Sequence, residues 1–310
     1  TQGQVVALVN YMSQILVELV KLANLILNVN RALACAGRIH EVFELPEAAE
    51  GADERVDAGA VETAADSGVA CHQLSFCYPG SAEEALTGIE FSVDAGETLG
   101  IIGGTGAGKT TLLSLILKAY DAHEGDLSVL GREVSRWSLS EERSRIGYVP
   151  QRSALFSGTI RDNLRVGRAE ASDEELWEAL AVAQADGFIR EKEGLDTLVE
   201  AGGRNFSGGQ RQRLCIARAL VRKPELLILD DSFSALDTAT EKALRDRLAG
   251  YVASIKTTII IVSQRIASVR SADHILVLDD GEQVGFGTHE DLLSTCEVYR
   301  EIDRIGGGDR

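Results

Sequence analysis

Residues 103–111 read GGTGAGKTT and fit the pattern G-x-x-x-x-G-K-[ST] through Gly103, Gly108, Lys109 and Thr110. Such a run does phosphate chemistry. Gly103, Gly104, Thr105, Gly106, Ala107 and Gly108 offer main-chain N–H groups that can wrap a polyphosphate, and the helix that follows adds its positive end. Lys109 is placed to reach the β- and γ-phosphates as a point charge. The Thr110 hydroxyl can ligate Mg²⁺, and Thr111 can contact the α-phosphate. The apolar run Thr98–Ile102 before the loop reads as a strand, and Leu112–Leu117 after it as a helix. An ordinary glycine-rich turn would not need that strand–loop–helix setting.

A second element is LLILDDS at residues 226–232. A buried parallel strand would deliver Asp230 and Asp231 to its C-terminal end, where open α/β sheets bind ligands. An apolar run ending in acids is common by itself. Behind a phosphate loop it marks Asp230 as the acid that holds Mg²⁺ through water.

These residues need a sheet to carry them. Residues 69 to about 305 alternate short apolar runs with helical patterns, the mark of an α/β domain. Residues 46–68 are acidic, small and aperiodic, and read as a linker. Residues 1 to about 45 read as one long helix without internal proline, about 60 Å at 1.5 Å per residue. Glu18 and Lys21 interrupt its apolar run, so the uncharged stretch 5–17 is shorter than the roughly 18–20 residues of a membrane span. Asn10, Gln14, Glu18, Lys21, Asn24, Asn28 and Arg31 step by three and four along one face. That pattern suits a membrane helix whose polar stripe lines a water-filled cavity. It equally suits an amphipathic soluble helix laid on a core.

A net charge of −17 argues against a general nucleic-acid binder, which needs a basic face. It leaves a nucleotide site open, because local dipoles and one or two cations suffice there. The five cysteines are scattered without a CxxC pair, so neither a disulfide framework nor a zinc site is expected, and a reducing compartment is the default. The chain opens mid-pattern without an initiator methionine or signal peptide, as a cut fragment would.

Between the two elements lies FSGGQRQRLCIARAL, residues 206–220. Here the chain resembles the ABC ATPase superfamily, and the resemblance covers residues 69 to about 300. Ser207-Gly208-Gly209-Gln210 matches the signature motif. Tyr78, in FCYPG, matches the aromatic residue that stacks on adenine. Gln151, in YVPQ, matches the Q-loop glutamine that contacts Mg²⁺ and senses the membrane domain. Ser234-Ala235-Leu236-Asp237 matches the D-loop, and Gln264, in VSQR, sits where the family usually has its switch histidine. Residues 151–164 and the EAGGR at 200–204 resemble exporter patterns. The first helix, residues 1–45, then resembles the last transmembrane helix of an exporter running into its ATP-binding domain, residues 69–305.

The resemblance implies a P-loop NTPase fold of the ABC type. Its α/β core would carry an antiparallel β subdomain near 69–100 and a helical subdomain near 152–222. ATP and Mg²⁺ would be the cofactors, with Thr110, Gln151 and Asp230 at the metal. The partners would be the coupling helices of its own membrane domain and a second ABC half, whose nucleotide Ser207 and Gly209 would clamp. The chain would sit at the cell membrane with the ATP-binding domain in the cytoplasm.

Two residues depart from the family pattern. Asp231 stands where most members have a general-base glutamate, and Gln264 replaces histidine. With Gln151, these are the residues expected to face the reaction. A carboxylate withdrawn by one methylene is misplaced by about 1–1.5 Å, and an error of about 1 Å can cost about 100-fold. The Gln264 amide can hydrogen-bond a phosphate but carries no titrating charge. Slow hydrolysis at this chain's own site is therefore expected, as in the degenerate-site subunit of a heterodimeric multidrug-type exporter. A homodimer with active ATPase is the alternative. A DNA-repair ABC ATPase is disfavoured by the acidic charge and by the absence of sustained heptads between 112 and 206, and a regulatory one by the single ATPase domain where such proteins usually carry two.

His123, His274, Trp137 and Trp177 read as surface or packing residues, His289 as a stabiliser of a helix start, and Asp279-Asp280-Gly281 as a hairpin turn. The membrane assignment is testable. Cysteines placed at 14, 18 and 21 in the intact transporter should react with a water-soluble thiol reagent in the native state. Labelling only after denaturation would remove the cavity assignment.

Overall fold

The computed structural model describes residues 2–44, 67–138, 141 and 144–306. The first element is a single helix, Gln2–Glu44. No proline interrupts it, and the two charges that broke its apolar run sit one turn apart, where Lys21 and Glu18 pair at 2.8 Å. Its apolar side chains are exposed along the whole length, Leu16 at 64 % and Leu33 at 66 %. Among the described residues it is the one helix long and apolar enough to cross a membrane. The expected linker 46–68 lies almost wholly outside the described residues. At its end there is a correction: Ser67 and Gly68 already belong to the first strand, where Ser67 pairs with Asp94.

The second unit is built on a ten-stranded sheet. Its strands are β1 (Ser67–Cys77), β2 (Glu84–Asp94), β3 (Thr98–Ile102), β4 (Glu124–Val129), β5 (Arg132–Glu133) and β6 (Ile146–Val149). After a separate two-stranded pair, β7 (Gly158–Thr159) with β8 (Leu198–Val199), come β9 (Leu226–Asp230), β10 (Thr258–Ser263), β11 (His274–Asp279) and β12 (Glu282–Gly287). The order across the sheet is β5-β4-β1-β2-β12-β11-β3-β10-β9-β6. Strands β11, β3, β10, β9 and β6 pair in parallel with one another, β12 pairs antiparallel with β11 and parallel with β2, and β5, β4, β1 and β2 pair antiparallel. The antiparallel region expected near 69–100 is present in β1 and β2; β4 and β5 extend it, and β3 joins the parallel half.

Burial explains the division. Every residue of β9 and β10 is buried, as a strand covered on both faces requires. Along β2, Thr87, Glu90 and Ser92 are exposed between buried Leu86, Ile89, Phe91 and Val93, as on a sheet with one wet face.

The parallel register sets the site. Val262 of β10 lies opposite Asp230 of β9, and Ser263 lies opposite Ile102 of β3. Gly103, Asp231 and Gln264 thus leave the sheet side by side, at its C-terminal edge. Helices Ile160–Arg165, Asp173–Val182 and Gly208–Val221 occupy the expected helical region. Each starts on a capping box, made by Thr159 with Asp162, Ser172 with Glu175, and Ser207 with Gln210. The turn between β11 and β12 puts Asp280 at φ 47° and Gly281 at φ 80°, the two positive angles of the hairpin that the sequence predicts.

Close approach, rather than chain flexibility, makes Gly103 a glycine. A Cβ there would lie 2.2 Å from the Leu278 carbonyl oxygen of β11, whereas one on Gly104 would meet nothing within 4 Å. Gly103→Ala should lower folding stability by about 1–3 kcal/mol. Gly104→Ala should leave it unchanged. Chemical denaturation of both variants checks the contrast.

Candidate nucleotide-binding site

The loop leaves β3 at Ile102 and re-enters regular structure at helix Lys109–Ile116. Gly106 and Gly108 stand at φ 88° and 93°, where side chains are disfavoured, and a Cβ on Gly108 would also press within 2.6 Å of Leu86. The Ala107 N–H donates to Gly104 O at 3.3 Å and tightens the turn. The Lys109 ammonium curls back to donate to the carbonyls of Gly103, at 2.8 Å, and Gly104. Desolvation pulls its pKa below the usual lysine range, while Asp230 and Asp231 work in the opposite direction. A desolvated cation faces two carboxylates across the loop mouth, which is the setting a triphosphate can take over.

Asp230 ends β9 and is only 9 % exposed. Burial raises its carboxyl pKa and the charge of Asp231 adds to that, while a bond from the Tyr148 hydroxyl at 3.3 Å and the Lys109 charge oppose it. Asp231 follows in the left-handed region at φ 46°, with its N–H on Val262 O at 2.9 Å. The Gln151 side chain donates to the Asp231 carboxylate at 3.3 Å. Gln264 is exposed one residue past the end of β10. The fold thus gathers Lys109, Gln151, Asp230, Asp231 and Gln264 at one edge of the sheet.

The donor set fits Mg²⁺. Thr110, Gln151 and Asp230 offer hard oxygen atoms, and no cluster of three His, Cys, Asp or Glu exists among the described residues. A small ion that keeps waters and takes phosphate oxygens needs no more from the protein.

The signature residues lie elsewhere. Ser207 caps helix Gly208–Val221: its hydroxyl accepts from Gln210 N at 3.2 Å, and Gln210 Oε1 accepts from Ser207 N at 3.0 Å. A Cβ on Gly209 would come within 3.0 Å of Ala235 O, so signature and D-loop are neighbours. Asp237 caps helix Thr238–Ile255 by accepting from Thr240 N at 3.0 Å, and the Thr240 side chain, with that N–H, holds its carboxyl below the usual range. Among the described residues no hydrogen bond joins Ser207–Gln210 to the phosphate loop.

Residues 86–234 match the family model described as ABC transporter. The chain carries an ABC transporter ATP-binding domain. An uncharacterized ABC transporter ATP-binding protein of Mycobacterium tuberculosis is 43% identical over 304 residues, 97% of this chain and 51% of that protein. The ATP-dependent lipid A-core flippase of Photobacterium profundum is 36% identical over 291 residues, 93% of this chain and 48% of that one. Among solved structures, a bacterial Atm1-family ABC exporter with ATP bound is similar with a TM-score of 0.75 and 34% identity, over 82% of this chain and 44% of that one. The chain spans about half the length of the curated relatives it matches.

In this ATP-binding domain the proposed adenine stacker, Tyr78, is part of a cluster. Its ring meets Phe76 edge-on at 4.9 Å and Tyr120 edge-on at 5.3 Å. Its hydroxyl shares a hydrogen bond of 3.0 Å with Thr111. Sequence reasoning passed over Tyr120 and Tyr148. Tyr148 had a signal: it stands in the quoted YVPQ, on the one exposed position of an otherwise buried strand. His289 also needs correcting. Thr288 caps that helix, and His289 instead bonds the Tyr299 hydroxyl at 2.8 Å. Trp137 and Trp177 do pack, each beneath an arginine guanidinium, and His274 stacks on Phe286.

Tyr78→Phe keeps the ring and drops only the bond to Thr111. It should cost about 0.5–1.5 kcal/mol of stability without nucleotide. Tyr78→Ala should weaken MgATP binding about tenfold or more, since a base–aromatic stack contributes about 1–3 kcal/mol. Calorimetric titration separates the two.

Proposed function

We propose that this chain is the ATP-binding portion of an exporter half, joined through residues 46–68 to the last transmembrane helix of its membrane domain, residues 1–45. Its ATP-binding domain, residues 69–305, would work in the cytoplasm at the cell membrane. MgATP would close it face to face on a second ABC half, and that closure would drive export. Tyr78 would stack on adenine. Residues 103–111 would hold the phosphates, and Thr110, Gln151 and Asp230 the metal, with the Asp237 D-loop lying at the closing face. Bound Mg²⁺ would neutralise charge on the β- and γ-phosphates. The exposed helix cap Ser207 and the half-buried Gly209, without a hydrogen bond to their own phosphate loop among the described residues, would complete the partner's site. An exposed apolar helix supports the membrane placement, since it needs lipid or other helices to cover it. A cavity of about 460 Å³ between Lys118 and Tyr148 on one side and Val166 and Arg218 of the helical region on the other supports docking of a coupling helix there.

The observation that carries the finer reading is the pairing of an intact signature with Asp231 and Gln264. Asp231 is one methylene short of the usual base, and its carboxylate accepts from Gln151 instead of standing free for a water. This chain's own site would therefore hold ATP and hydrolyse it slowly, beside a competent site on a different partner half. Asp231→Glu combined with Gln264→His should raise single-turnover phosphate release at this site by up to about 100-fold. No increase would exclude the slow-site reading and favour a homodimer that already hydrolyses ATP.

A further inference from the structure

Two segments leave the C-terminal edge of the sheet and diverge. One runs from Asp230 through the D-loop into helix Thr238–Ile255, and the other from Ser263 through Gln264 into helix Ile266–Val269. Two side chains of the first helix reach the second segment: Arg245 donates to Ala267 O, and Glu241 makes the larger set of bonds. Glu241 is 3 % exposed. One of its carboxylate oxygens takes the Arg265 guanidinium, and the other accepts from the Ser268 hydroxyl at 2.8 Å. Arg265 also donates to Phe233 O at 3.3 Å, just before the D-loop, and its N–H is held by Ser263 Oγ at 3.0 Å. Glu241 in turn sits on the D-loop, its N–H donating to Asp237 O at 2.9 Å.

A carboxylate this buried is costly, and an apolar set replacing the whole ion pair would often serve stability as well. What the charge adds is a fixed relation between two loops. Arg265 directly follows Gln264, so a shift of Gln264 pulls a guanidinium that is pinned on Glu241 and on Phe233 O. Glu241 passes the pull to the first turn of the D-loop helix.

We propose that Glu241 is a positioning residue that couples Gln264 to the D-loop, so that nucleotide in this chain's own site sets the D-loop surface offered to the other half. This rests on the reading of Gln264 as the γ-phosphate contact. Hydrogen exchange on the full chain, with and without MgATP, tests it.

In the native chain MgATP should slow exchange in residues 103–116 and, about tenfold, in residues 234–237, the size of an ordinary coupling. Glu241→Met should keep the protection of 103–116, yet leave 234–237 less than about twofold slowed. Gln264→Ala should reproduce that loss. A D-loop response kept in Glu241→Met overturns the proposal, and so does protection lost from both segments together, which marks a merely structural role. If Glu241→Met does not fold, Arg265→Gln removes the same pair from its exposed end, and a D-loop response retained there overturns it equally. No protection of 103–116 in the native chain would instead sink the nucleotide reading itself.

Discussion

The site depends on the register of three buried parallel strands. A parallel pair has no local turn to set its alignment, so β3, β9 and β10 are aligned by burial and side-chain packing alone. Slipping β10 by one residue would turn its alternate side chains to the opposite face and move Gln264 along the edge by about 3.3 Å. Leu226–Leu229 and Ile259–Val262 are buried on both faces, so the slip is opposed at every residue. With Val262 held opposite Asp230 and Ser263 opposite Ile102, the phosphate loop, both acids and Gln264 emerge in one row.

On that row the electrostatics are local. A chain with net charge −17 can receive a polyanion because the receiving groups are main-chain N–H dipoles, a helix N-terminus and one desolvated lysine. Lys109 is held at the loop by the carbonyls of Gly103 and Gly104, bonds it can exchange for phosphate oxygens. The buried Asp230 carboxyl, with its pKa raised, stands across from it and would gain from a divalent cation between them.

Much of this was legible in the sequence because it lies in short runs. The phosphate loop, the apolar strand ending in Asp230 and the capped signature helix each announce themselves within a dozen residues. The DDG hairpin does so as well, since Asp280 and Gly281 must both take positive φ. What the sequence hid is long-range. Nothing local says that Tyr148 reaches Asp230, 82 positions away, or that Tyr120 packs on Tyr78. The same holds for β3, whose five residues look alike in a parallel and an antiparallel sheet until β10 and β11 flank it. Ser67 and Gly68 read as linker by composition, yet pairing with β2 takes them into the sheet.

Asp231 joins the two themes. Its left-handed backbone is one that aspartate adopts more readily than most residues, and its N–H is spent on Val262 O, so the turn after β9 is tied to β10 before the D-loop begins. The same β10 then delivers Gln264 and Arg265, and Arg265 reaches back to Phe233 O. The segments after β9 and β10 are thus joined through the main chain at Asp231 and through the side chains of Arg265, Glu241 and Arg245. On the coupling proposed for Glu241, a group bound by either segment would be felt by both, and the shortened carboxylate at 231 would bear on the chemistry without removing the bonds that hold the D-loop.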